Sequence, residues 1–152
     1  LPCLFPLSPS LSSPSSPAIT ATIDALRSHE ACSGKVGAVG YCLGGLLAYL
    51  TACRTSADAS VGYYGVGIQD RTQEAEGLDR PLLLHIAGKD EFVAEDAQKI
   101  IHDRLSGHAQ ITLFDYPKDD HAFAREGGAH YNPDSAKLAD ERTLALFRSA
   151  LS

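Results

Sequence analysis

An α/β fold with a mostly parallel sheet between helical layers is what this sequence predicts, and three observations carry the prediction. Short apolar runs alternate with stretches of helical periodicity along most of the chain. The runs at 36–41 and 82–87 are almost wholly apolar or small, as strands covered on both faces are. Cys42, Asp90 and His121 each follow one of the apolar runs, and an open parallel sheet gathers its site at that edge.

The elements follow in order. Residues 20–31 read as an amphipathic helix with Ile19, Ile23 and Leu26 on one side. A strand over 36–41 leads into a helix over 45–54, and residues 59–64 form the next strand. Pro81 introduces the buried strand 82–87, which is followed by a helix over 94–105 with Ala97, Ile100, Ile101 and Leu105 at helical spacing. Strand 111–116 alternates and stops at Pro117. A closing helix over 135–151 places Ala139, Thr143, Phe147, Ala150 and Leu151 on a shared face. Four clear strands leave one side of the sheet as an unprotected edge, through which self-association is expected.

Residues 1–18 differ in character from the domain at 19–152. Prolines and serines dominate them; proline removes ladder donors and breaks helices, and serine competes for backbone hydrogen bonds. This leader is therefore expected to be disordered, with neither strand nor helix.

Composition narrows the function. The 152 residues are 44% hydrophobic, and 13 basic against 19 acidic residues give a net charge of -6. With no basic cluster there is nothing to release the counterions that drive nucleic-acid binding. No run approaches the roughly 18 apolar residues that a membrane-spanning helix needs. Cysteines at 3, 32, 42 and 53 fit no zinc spacing. An exposed reactive thiol calls for a reducing compartment, so a cytoplasmic location is expected.

The chemistry centres on Gly40-Tyr41-Cys42-Leu43-Gly44-Gly45. A thiol at a tight turn from strand to helix has the geometry of a nucleophile elbow, with sulfur in the place of the usual serine oxygen. The following helix aims free N–H groups at the sulfur and favours the thiolate. Asp90 sits in the loop after strand 82–87 and His121 in the loop after strand 111–116. Nucleophile, acid and histidine thus appear in the order of α/β-hydrolases.

On these residues the chain resembles the dienelactone hydrolase family, the carboxymethylenebutenolidases. The resemblance rests on Gly40 to Gly45, on Gly88-Lys89-Asp90-Glu91-Phe92-Val93 and on His121-Ala122-Phe123-Ala124-Arg125. It implies a three-layer α/β-hydrolase-like fold, truncated on its N-terminal side, with a catalytic triad of Cys42, Asp90 and His121. It also implies that Arg125 holds a substrate carboxylate and that Tyr64 is a pocket tyrosine. Family members carry a further N-terminal third that supplies a glutamate beside the cysteine, a second carboxylate-binding arginine and one oxyanion amide. This sequence contains no counterpart of that third.

The reaction so implied opens a small carboxylate-bearing enol-lactone through a thioester on Cys42. The Leu43 N–H holds the oxyanion, and neither metal nor organic cofactor is required. Two other readings stand beside it: a catalytically inactive fragment, and a non-enzymatic binding or redox-sensing protein with a reactive thiol. Several residues have plainer roles to weigh. Glu91 rivals Asp90 as the acid, and Arg125 can pair with Glu126, Asp119 or Asp120 on the surface. Asp119, Asp120 and His121 are too close in sequence to converge easily on a metal. His85 reads as a satisfied core histidine, whereas His102, His108 and His130 read as surface residues.

Overall fold

A computed structural model describes residues 3–6 and 16–152, with side chains from residue 17 onward. Five strands, β1 (Cys3–Pro6), β2 (Val36–Tyr41), β3 (Ala59–Tyr63), β4 (Leu82–Ala87) and β5 (Ile111–Tyr116), form one sheet in sequential order. Every neighbouring pair is parallel. The helices are α1 (Ser16–Arg27), α2 (Leu43–Arg54), α3 (Glu95–Leu105) and α4 (Pro133–Ala150), and a 3₁₀ segment, Ile68–Gly77, lies between β3 and β4.

Alternation along β4 divides the core. Leu82, Leu84 and Ile86 pack with Tyr49 of α2, Ile68 of the 3₁₀ segment, and Ile101 and Leu105 of α3. Leu83 and Ala87 join Val61, Tyr63 and Tyr116 against Ala139, Phe147 and Leu151 at the α4 side. Because successive strand residues face opposite ways, β4 needs apolar residues on both sides. All six of its residues are buried, and the sandwich is the expected three-layer arrangement.

A smaller cluster ties Ile19 and Ile23 of α1 to Val36 and Ala57. Beside it the Asp58 carboxylate meets Arg27 at 2.7 Å, Arg80 at 3.3 Å and Lys35 at 3.5 Å, and accepts the Val36 N–H at 2.9 Å. Burial alone would raise the pKa of this carboxyl. The N–H and the cations outweigh burial and hold it below the usual carboxylate range. One side chain thereby pins α1 to the starts of three strands.

The leader is corrected where it can be seen. Residues 3–6 form a strand rather than disordered chain, and α1 begins at Ser16, ahead of the expected residue 20. An edge strand needs ladder bonds on one side alone, so Pro6 at its end is tolerated. Pro17 falls in the first helical turn, where its missing N–H has no intrahelical partner to lose. β1 pairs with β2 and makes the sheet five-stranded where four strands were expected. Residues 7–15 of the leader lie outside the described residues.

Candidate active site

The elbow is built by close backbone approach. A Cβ on Gly40 would stand 1.8 Å from the Gly44 carbonyl oxygen, and one on Gly45 would stand 2.6 Å from that of Tyr63. With no side chain at either position, α2 can leave β2 almost at once. Cys42 at the bend has φ 57° and ψ -119°, a conformation that costs a non-glycine residue of order 1–3 kcal/mol. Surrounding hydrogen bonds hold it there: its N–H donates to Tyr63 O at 3.0 Å, and its carbonyl accepts from Gly45 N at 2.9 Å. The result is an exposed free thiol. Leu43 opens α2, so its N–H has no intrahelical acceptor and remains available to an anion.

Two loops carry the partners. Lys89 N donates to Asp119 O at 2.9 Å, which laces the loop after β4 to the loop after β5. Across that seam Asp90 Oδ2 lies 2.8 Å from His121 Nδ1. The carboxylate is almost fully withdrawn from water, with its side chain 1% exposed, and its other oxygen accepts the Phe92 N–H at 2.9 Å. A carboxylate on Nδ1 keeps the ring proton there and leaves Nε2 as the acceptor. Glu91 points to solvent instead. The His121 ring is flanked edge-on by Tyr64 at 5.0 Å and Phe92 at 4.8 Å between centroids.

Cys42, His121, Tyr64 and Arg125 line one open cleft of about 480 Å³, together with Tyr41, Phe92, Ala122 and Ala124. Sulfur and imidazole thus face the same space, although no hydrogen bond joins them. Buried Tyr64 takes φ 38°, and its hydroxyl is raised above the ordinary tyrosine pKa by burial first and by neighbouring Tyr41 and Cys42 next. Arg125 is exposed on the cleft and forms no ion pair among the described residues. Of its candidate surface partners, Glu126 is exposed and makes no ion pair with it, and the other two are placed elsewhere. Asp119 binds Asn132 and Ser135 at 2.5 and 2.6 Å, and Asp120 faces His130 at 3.6 Å.

Those contacts also turn Asp119 away from His121, so the acidic pair and the histidine do not converge. His85 is 1% exposed with both ring nitrogens engaged, by Tyr116 and Thr143. Burial, and then the Arg142 charge, push its pKa down to about 3, which makes it the satisfied core histidine the sequence suggested. Tyr41 and Phe92 went unremarked as cleft residues in the sequence. Their signal was adjacency: Tyr41 directly precedes the thiol, and Phe92 follows two residues after the acid. Both are large and exposed, at 45% and 59%.

Comparison with known proteins shows the family and the fold. A sequence profile described as the dienelactone hydrolase family matches residues 7–151. A protein of Azospirillum brasilense, provisionally named a carboxymethylenebutenolidase, is 46% identical over 109 residues, covering 72% of this chain and 47% of its own. The carboxymethylenebutenolidase of Pseudomonas putida is 36% identical over 126 residues, covering 83% and 53%. Among solved structures, a Klebsiella pneumoniae protein provisionally described as a dienelactone hydrolase superposes with a TM-score of 0.73 at 25% identity, covering 88% of this chain and 61% of that one. The Pyrococcus furiosus esterase superposes at 0.72 with 12% identity, covering 94% and 64%, a likeness of fold alone. The chain spans about half the length of the curated relatives it matches.

Proposed function

Because the chain belongs to the dienelactone hydrolase family, we propose that it hydrolyses a small carboxylate-bearing enol-lactone by way of a thioester on Cys42. The observation that carries this reading is the buried 2.8 Å contact of Asp90 with His121, opening on the same cleft as the strained, exposed thiol.

The thiol proton passes to His121 Nε2, and the thiolate attacks the lactone carbonyl. The Leu43 N–H receives the oxyanion that develops. Collapse breaks the bond to the ring oxygen, which leaves as an enolate and takes a proton from the imidazolium. An enolate is a far better leaving group than an amine, which suits sulfur as nucleophile. His121 then takes a proton from water, and the hydroxide so formed attacks the thioester and releases thiolate and acid. Asp90 holds the ring in the tautomer that can accept on Nε2 and stabilises the imidazolium when it forms. Arg125, unpaired on the cleft, supplies a planar fork for the substrate carboxylate, and Tyr64 forms a wall.

The test is ester turnover with an activated aryl ester and an enol-lactone, before and after alkylation. Turnover that vanishes on alkylation and in Cys42→Ala supports the proposal. Turnover that survives in Cys42→Ala refutes it. A chain that alkylates at the rate of an ordinary thiol, with no acyl burst, is instead an inactive fragment. Reversible peroxide oxidation without ester turnover marks a redox-sensing thiol.

A further inference from the structure

Beneath the elbow, on the α4 side of the sheet, lies a chain of side-chain hydrogen bonds that the reaction above does not use. Arg142 donates to the Tyr116 hydroxyl at 3.2 Å, and that oxygen lies 2.9 Å from His85 Nδ1. His85 Nε2 lies 3.0 Å from Thr143 Oγ1, which is 2.7 Å from the Tyr63 hydroxyl. Tyr63 in turn donates to Asp140 Oδ1 at 2.9 Å.

The carboxylate end sets the direction of every bond in the chain. The Asp140 carboxylate only accepts and each hydroxyl has one proton to give, so Tyr63 gives its proton to Asp140 and Thr143 gives its own to Tyr63; His85, which burial keeps neutral, must then carry its proton on Nε2 and accept from Tyr116 on Nδ1. Thr143 then accepts from His85 and donates to Tyr63. Each of these hydroxyl and imidazole protons is used once, in a single direction from cation to anion, and bonds so aligned polarise and strengthen one another.

This chain touches the site through its backbone. Cys42 and Tyr64 are two of the three non-glycine residues with positive φ among the described residues. The Cys42 N–H is held by the Tyr63 carbonyl at 3.0 Å, and the Tyr64 N–H by the His85 carbonyl at 2.7 Å. The Tyr41 ring rests on that of Tyr63 with centroids 4.6 Å apart. Helix α4, which supplies Asp140, Arg142 and Thr143, also grips the histidine loop: Asn132 at its N-cap bonds Asp119, and Asn132 N donates to Phe123 O at 2.9 Å.

We propose that this hydrogen-bonded chain is a positioning device that registers the Cys42 elbow against the His121 loop through α4, with the Tyr63 hydroxyl and Thr143 as its positioning residues. The inference rests on Cys42 being the nucleophile. It adds that the angle of the elbow is set by α4 and not by β2 and α2 alone.

Two rates separate positioning from simple stability. Alkylation of Cys42 by iodoacetamide at about pH 9.5, where a thiol ionises without help from a base, needs only access to the sulfur, whereas single-turnover acylation by p-nitrophenyl acetate near neutral pH also needs aligned imidazole and oxyanion N–H. In Tyr63→Phe and Thr143→Val, acylation is expected to fall about tenfold or more, as small misplacements of reacting groups do. Alkylation should stay within about twofold, and Thr143→Ser, which keeps the hydroxyl, should restore acylation. If one variant does not fold, the other carries the test, together with Asp140→Ala, whose side chain is exposed. Acylation within about twofold of the parent in the folded variants, or both rates falling in proportion to the folded fraction, overturns the proposal. Cys42→Ala run alongside tells the failures apart: acylation that survives there refutes the nucleophile itself.

Discussion

Replacing Asp90 by asparagine tests the acid with almost no change of shape. In the parent, Oδ1 accepts the Phe92 N–H at 2.9 Å and Oδ2 faces His121 Nδ1 at 2.8 Å. Asparagine has one oxygen for these two donors. If it keeps the Phe92 bond, its NH₂ meets Nδ1, the ring proton moves to Nε2, and the imidazole can no longer take a proton from sulfur. If it keeps the productive tautomer, the Phe92 N–H faces an NH₂ in a buried place, which costs about 1–3 kcal/mol. That penalty alone is roughly a 5- to 150-fold loss, and the lost stabilisation of the imidazolium adds to it. Asp90→Asn should therefore lower kcat/KM for an activated ester by about 10²- to 10³-fold. Glu91→Gln, on an exposed side chain, should leave it within about twofold. The assay is steady-state turnover beside a thermal melt that confirms folding. An Asp90→Asn enzyme within about threefold of the parent, or a Glu91→Gln enzyme that is inactive, would refute the assignment of the acid.

Other outcomes follow from the same structure. Gly40→Ala, whose Cβ would sit 1.8 Å from the Gly44 oxygen, should fail to fold or lose more than about 4 kcal/mol by denaturant titration, while Gly77→Ala, with nothing within 4 Å, should stay within about 0.5 kcal/mol. Asp58 has a folded pKa below its unfolded one, so its stabilisation is complete above the unfolded carboxyl range and fades as pH falls through the folded value. The stability gap between parent and Asp58→Asn should accordingly narrow below about pH 4 in melts across pH. His85, with its pKa near 3, should show imidazole NMR shifts that do not titrate between about pH 8 and pH 5, with the proton on Nε2. Arg125→Leu should raise KM for a carboxylate-bearing ester by about tenfold or more, with little change for a neutral one.

What the sequence disclosed and what it hid divide along physical lines. Strands β2, β4 and β5 have the boundaries read from sequence: β2 and β4 are largely buried and print as unbroken apolar or small runs, and β5, at the end of the sheet, alternates and stops at Pro117. Helix α2 starts at Leu43 and not at residue 45, since Gly44 and Gly45 give no apolar period to read. The 3₁₀ segment was invisible: of Ile68–Gly77, Ile68 and Ala75 alone are buried, too few for a periodic signal. Strand β1 was hidden by prolines that an edge position tolerates. At the site, Asp90 and His121 were legible because each follows a strand. The chain from Arg142 to Asp140 was not, because its links join residues up to 80 positions apart and no local pattern marks them. Arg125 was ambiguous in sequence, and its freedom from ion pairing emerged only when Asp119 and Asp120 were seen bound elsewhere.

The nucleophile is identified by where an acyl group lands. Rapid-quench intact-mass analysis after brief exposure to an activated ester, followed by peptide mapping, reads this directly. One acyl equivalent on the peptide that contains Cys42, absent in Cys42→Ala and both slower to form and slower to clear in His121→Ala, is the predicted result. Turnover with no acyl group on that peptide, or acylation confined to Cys32, Cys53 or lysines, would contradict it.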